Sequence, residues 1–167
     1  WIGTEGGGVV FLKTGTFINP CKGTDLSESQ VSALCQVKDG TILIGTRGKG
    51  MYAARDGVIS LFPLPGVSPK SHILAIYQDH VGNTWIGTNG EGLVKKSSRN
   101  HDSAIYTQEQ GLPCCQVKVI LEDSQENLWI GTATGGLCLY NYNEDTFEVF
   151  NTTDGLSDNN VTALCED

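Results

Sequence analysis

The segment Trp1-Ile2-Gly3-Thr4 returns as Leu43-Ile44-Gly45-Thr46, Trp85-Ile86-Gly87-Thr88 and Trp129-Ile130-Gly131-Thr132, so the chain is one unit written four times. The copies start 42, 42 and 44 residues apart, a period that belongs to propellers and solenoids. Within each unit four short apolar runs recur, and nowhere do apolar residues repeat at helical spacing for ten residues. Four antiparallel strands in about 40 to 45 residues is the arithmetic of a propeller blade. A leucine-rich solenoid needs a shorter unit, and a helical repeat needs helices. The expected fold is therefore all-β: β-propeller blades, four repeats of a four-stranded antiparallel sheet.

First strands are expected at Val31 to Gln36, Ile73 to Gln78, Val117 to Glu122 and Val161 to Glu166, and the W-I-G-T copies supply the second strands. Third strands follow at Val9 to Leu12, Met51 to Ala54, Leu93 to Lys96 and Leu137 to Asn141. Phe17, Ile59 to Phe62, Ile105-Tyr106 and Phe147 to Phe150 mark the fourth. Asp39-Gly40, Gly82-Asn83 and Glu126-Asn127 suit tight hairpins between first and second strands. The tryptophans are expected to pack blade on blade, with Leu43 as the weaker substitute, and the glycine of W-I-G-T to leave room for a close neighbour.

Eleven basic against nineteen acidic residues give a formal charge of −8, which argues against nucleic acid and anionic membranes as partners. No run approaches the roughly 20 apolar residues that span a bilayer, and no signal segment is present. The chain begins inside a repeat and its only methionine is Met51, so it reads as an excised part of something longer.

Cys21, Cys35, Cys114, Cys115, Cys138 and Cys165 form no C-x-x-C pair. Cys35 and Cys165 occupy one repeat position, which Tyr77 and Leu121 fill elsewhere, so both read as small core residues. Cys114-Cys115 lies in a turn. His72, His80 and His101 share no repeat phase, and no metal site or cofactor is expected.

Gly48-Lys49-Gly50 and Gly90-Glu91-Gly92 suggest a phosphate loop, but such a loop occurs once and opens a helix, so these glycines are read as turns. Asp79-x-x-Gly82-x-x-Trp85 looks somewhat like the Asp-box of sialidase propellers. That motif keeps its aspartate five residues before the tryptophan, and here the interval is six. No acidic pair stands out for glycoside hydrolysis, so a propeller glycosidase or lyase is the least favoured reading.

The fourth copy carries Asn127-Leu128-Trp129-Ile130-Gly131-Thr132, Gly135-Gly136-Leu137, Tyr140-Asn141 and Asp154-Gly155-Leu156-Ser157-Asp158-Asn159-Asn160-Val161. These residues resemble the two-component regulator propeller repeat, and the resemblance covers essentially the whole chain. Departures are Leu43 for tryptophan and the irregular outer segments around Pro63-Leu64-Pro65 and Ser97 to Ser103. The resemblance implies a periplasmic, non-catalytic sensor segment of a membrane-spanning hybrid histidine kinase, with an oligosaccharide as ligand, in a seven- or eight-bladed propeller. A protein-binding scaffold is the alternative.

A repeat protein has its freedom where it breaks its own repeat. The residue after each W-I-G-T is Glu5, Arg47, Asn89 or Ala133, and two further on stand Gly7, Lys49, Glu91 or Gly135. In a blade this turn shares an edge with the link to the next first strand. Glu5, Arg47, Lys49, Asn89 and Glu91, with His72 and Gln116 from the links, are therefore the candidate ligand-binding rim. The one expected domain, residues 1–167, ends on Val161 to Asp167, which is either the first strand of a further blade or the closure of the blade begun at Trp1. An intrachain four-bladed ring, two chains sharing strands and an arc of a larger propeller all fit, and the arc is favoured. The expected partners are neighbouring blades or a second copy of the chain, besides the oligosaccharide.

Overall fold

A computed structural model describes all 167 residues. It contains fifteen strands: β1 (Ile2–Gly3), β2 (Val9–Lys13), β3 (Thr16–Ile18), β4 (Val31–Gln36), β5 (Ile42–Thr46), β6 (Met51–Arg55), β7 (Val58–Leu61), β8 (Ile73–Gln78), β9 (Thr84–Thr88), β10 (Leu93–Lys96), β11 (Ser103–Tyr106), β12 (Val117–Glu122), β13 (Leu128–Thr132), β14 (Leu137–Asn141) and β15 (Thr146–Phe150). They form one three-stranded sheet, β1-β2-β3, and three four-stranded meanders, β4 to β7, β8 to β11 and β12 to β15. The ladders with a given register are all antiparallel.

One expectation fails at the chain's end. Residues 161–167 form no strand, and the sheet of β1 has only three strands. A first strand is made by laddering with a second, and among residues 1–167 no strand ladders with this segment. It is still held at the first-strand place, because the Val161 amide donates to the Thr132 carbonyl at 2.9 Å.

The chain divides into two compact units, Trp1–Ile76 and Tyr77–Asp167. In the first, Val9, Cys21, Leu26, Ile42, Ile44 and Ala54 make the core, with Val31, Leu34, Tyr52 and Ile59 packed against it. In the second, Trp85, Ile86, Leu93, Val94, Leu128, Ile130 and Tyr140 are buried. All five residues of β5 and of β9 are buried.

Each letter of W-I-G-T has its own task. An added Cβ would lie 2.5 Å from Val31 at Gly3, 2.7 Å from Ile73 at Gly45, 2.8 Å from Val117 at Gly87 and 2.7 Å from Val161 at Gly131. The glycine is thus the slot into which the next repeat seats its first β-branched side chain. The threonine closes the following turn, for Thr46 Oγ1 donates to the Gly50 carbonyl at 2.7 Å and accepts from the Lys49 amide at 3.2 Å. Thr88 does the same with Gly92 and Glu91. Trp85 is fully buried, edge-on to Tyr140 of the next sheet at 4.7 Å. Trp1, by contrast, is 43% exposed and touches Phe11 of its own sheet at 5.0 Å.

The cysteines need a second correction. None of the six is in a disulfide, but the buried ones are Cys21 and Cys138; Cys35 is half-buried and Cys165 is exposed. Position 35 ends a first strand, where cover runs out, and Cys165 lies on the unpaired tail.

Candidate functional site

In a four-stranded meander the turn between second and third strands lies on the same edge as the link leaving the fourth. The unit 1 turn is clamped there: the Ser71 carbonyl accepts the amides of Gly48 and Gly50, at 3.3 and 3.2 Å. In unit 2 the Cys115 carbonyl accepts those of Gly90 and Gly92, at 3.1 and 3.0 Å. The buried Gly50 and Gly92 amides require acceptors, and the same link carbonyl also takes the more open Gly48 and Gly90 amides. The glycine pairs are therefore turn elements held by the next repeat. The two links of unit 2 carry one-turn 3-10 helices, Gln108–Gln110 and Thr152–Asp154, each with a reciprocal cap and a left-handed glycine at its end.

The clamp brings the unrepeated residues together in pairs. Arg47 bridges His72 in unit 1, and Asn89 bridges Gln116 in unit 2, where Gln116 Nε2 donates to Asn89 Oδ1. Arg47, His72 and Asn89 are exposed; Gln116 is half-buried. Lys49 turns toward the preceding link, its Nζ donating to the Asp25 carbonyl at 2.6 Å. Glu91 is half-buried beside Asn89, and Glu5 is exposed in the turn between β1 and β2. Each unit thus presents one polar pair on a backbone that its turn and link hold jointly. No three His, Cys, Asp or Glu side chains gather to hold a metal ion.

The opposite edge of unit 2 holds a polar network that the sequence reading passed over. Asp79 is buried, and its carboxylate accepts Trp85 Nε1 at 2.7 Å, Asn83 N at 2.7 Å, Asn83 Nδ2 at 2.9 Å and the Tyr142 hydroxyl at 3.2 Å. Glu122 accepts His80 N and Nδ1, each at 2.7 Å, and the Tyr142 hydroxyl at 2.9 Å. Asp123 repeats the Asp79 arrangement around Trp129 Nε1 at 2.9 Å. The interval of six residues from aspartate to tryptophan was the available signal. It is the spacing at which a turn aspartate caps its own hairpin and receives the indole N–H. Where Leu43 replaces the tryptophan, Val37 stands in the aspartate's place, so donor and acceptor are lost together.

Burial and the Asp79 and Glu122 carboxylates push the Tyr142 hydroxyl well above its ordinary range. Burial also raises Tyr140, helped by its bond to Asp145. The bond to Glu122 raises His80. Burial works against ionising Cys114, yet bonds from Thr134 and from the Gln116, Thr134 and Ala133 amides bring its thiol below the usual value. The indole N–H of Trp129, with the Asn127 and Gln125 donors, holds Asp123 down at about 2. An unfolded aspartate titrates near 3.9, so the stabilisation from ionised Asp123 is complete above about pH 4 and disappears as pH falls through about 2. The melting temperature is expected to drop over that window, and less steeply in Asp123→Asn. Parallel pH profiles for the two proteins would contradict this.

The pattern of the two component regulator propeller family matches residues 25–48, 68–90 and 111–134, each spanning a link, a first strand and a W-I-G-T copy. Those three stretches match the two component regulator propeller repeat. Each matched stretch is therefore a clamp carbonyl, a side chain seated on the preceding glycine slot, and the strand that carries the next slot. The repeats are similar to the extracellular domain of a B. thetaiotaomicron protein described as a hybrid two component system. Identity is 28%, covering 99% of this chain and 23% of that one, with a TM-score of 0.80. The chain thus spans about a quarter of that relative's length. Virginiamycin B lyase from Staphylococcus aureus shares the fold alone, at 13% identity over 72% of this chain and 40% of the lyase, with a TM-score of 0.58. No curated protein matches the chain. No helix is long and apolar enough to cross a membrane.

Proposed function

We propose that these repeats belong to the extracellular sensor propeller of a two component regulator, that they are non-catalytic, and that their ligand is an oligosaccharide held on the edge of the second-to-third-strand turns. The observation that carries the reading is the division of that edge into a repeated backbone clamp and unrepeated exposed side chains. In unit 1 a guanidinium and an imidazole, and in unit 2 two carboxamides, supply donors and acceptors for sugar hydroxyls. The similarity to an extracellular two component domain supports the sensor role and the extracytoplasmic location. A histidine kinase would lie elsewhere in such a protein. The ligand would act by binding one signalling state more tightly than another.

Calorimetry with a panel of neutral oligosaccharides tests the ligand class. Arg47→Ala and Asn89→Ala are each expected to weaken binding about tenfold, the worth of one or two hydrogen bonds. Both leave the clamp intact, because the clamp is made by backbone atoms. Unchanged affinity in both variants would remove the rim from consideration.

A further inference from the structure

The residue that follows the turn aspartate, or Val37 in its place, breaks the repeat: it is Lys38, His80 or Ser124. In unit 2 this position reaches a carboxylate 42 residues further on. His80 N donates to Glu122 Oε2 at 2.7 Å, and Ser124 N donates to Glu166 Oε2 at 2.8 Å. The side chain then adds a second bond to the same carboxylate, from His80 Nδ1–H to Glu122 Oε1 at 2.7 Å and from Ser124 Oγ–H to Glu166 Oε1. Each staples its sheet to the repeat that follows, through a carboxylate held at both oxygens. Of the two side chains only the imidazole changes its charge near neutral pH.

The groups around the ring favour a cation. The Glu122 side chain, on β12, is only 8% exposed, so its charge is poorly solvated and gains most from a cation beside it. Glu126, exposed on the β12–β13 turn, has Oε2 3.6 Å from His80 Nε2 and adds less. Asp79, in the ring's own turn, contributes a third negative charge. From the β14–β15 turn the Tyr142 ring meets the imidazole edge-on at 5.1 Å, while its hydroxyl ties the Asp79 and Glu122 carboxylates together. All five residues lie in unit 2. An ionised carboxylate has no proton to give, so Nδ1 carries a hydrogen in either charge state and the titrating nitrogen is Nε2, the one beside Glu126.

We propose that His80 is a proton-operated staple between the sheet of β8 to β11 and the sheet of β12 to β15, tight when the imidazole is a cation and looser when it is neutral. Neutral His80 keeps its Nδ1–H on Glu122, and what it loses is the attraction of its charge for three carboxylates. The bond to Glu122 raises the imidazole above its ordinary value of about 6.5. The stabilisation is therefore complete below about pH 6.5, the unfolded value, and is lost as pH rises through the folded one. The Ser124 staple has no such dependence and serves as the internal control. The junction answers to pH whatever the rim binds, so the device does not depend on the oligosaccharide reading.

Proton NMR of the intact protein follows its three imidazoles, and His72→Gln and His101→Asn, at two exposed positions, identify by elimination the signal of His80. That signal is expected to inflect above about pH 6.5 in the wild-type protein, and Glu122→Gln is expected to lower the inflection. Thermal melts of the wild-type protein and His80→Ser read the staple itself, because the substitution copies the arrangement at Ser124. Between about pH 6 and pH 8.5 the wild-type melting temperature is expected to fall by about 1 to 2 °C relative to that of His80→Ser. Should the variant not fold, the wild-type titration decides alone. An inflection at or below about pH 6.5, or a melting difference that stays constant over that range, would overturn the proposal.

Discussion

Gly92→Ala is expected to unfold the protein or to cost it about 3 kcal/mol or more, whereas Gly90→Ala, two residues away, costs about 1 to 2. Both glycines have positive φ, +92° and +113°, so both alanines carry the backbone penalty. They differ in space. A Cβ on Gly92 would stand 2.1 Å from the Tyr106 carbonyl oxygen, an atom fixed at the end of the β10–β11 ladder, while a Cβ on Gly90 meets nothing within 4 Å. Relief would mean pulling the Gly92 amide off the Cys115 carbonyl or opening that ladder. Total stability for a protein of this size is about 5 to 15 kcal/mol, so the loss takes a large share of it. Urea denaturation of the two variants measures the difference, and equal losses would mean that contact with Tyr106 is not what excludes a side chain.

The second large effect concerns the buried aspartate. Asp79→Val is expected to cost about 3 to 5 kcal/mol, because it strands the Trp85 indole N–H and both Asn83 donors in the interior and leaves the Tyr142 hydroxyl to Glu122 alone. Trp85→Leu alone is expected to cost about 3 kcal/mol through the cavity it opens beside Tyr140. The double variant should be more stable than the sum of the two losses by at least about 1 kcal/mol, since removing the indole removes the need for its acceptor. The second repeat already carries this exchange as Val37 and Leu43, with Leu43 buried. A double-mutant cycle by chemical denaturation decides it, and strict additivity would mean that the pair does not act as a unit.

The strands were legible because period and alternation are short-range. Val31 to Gln36, Ile73 to Gln78 and Val117 to Glu122 stand where four in-phase copies placed them. Ladder partners are not short-range, so Val161 to Glu166 has a first strand's composition and no strand's hydrogen bonds. The placement of Arg47 with His72 and of Asn89 with Gln116 could be anticipated from repeat phase. The Asp79 network could not, because its members come from a first-to-second-strand turn, a later first strand and the β14–β15 turn, which only packing brings together. An apolar cavity of about 180 Å³, walled by Met51, Leu64, Val67 and Ile73, was hidden for the opposite reason: Pro63-Leu64-Pro65 breaks the period, and a segment without a period gives no sign of which way its side chains face.

The clamp carbonyls also set an order of events. Gly90 and Gly92 are secured by Cys115, and Gly48 and Gly50 by Ser71, acceptors that lie 21 to 25 residues further along the chain. On a ribosome, each sheet can pair its own strands as soon as they emerge, but its turn stays unlatched until the following link is made. Assembly then proceeds as a ratchet in which every finished blade is one link behind the growing end. Because each latch closes only a short loop, the entropic cost per step stays small, and an all-β chain of this kind can be built without waiting for distant partners.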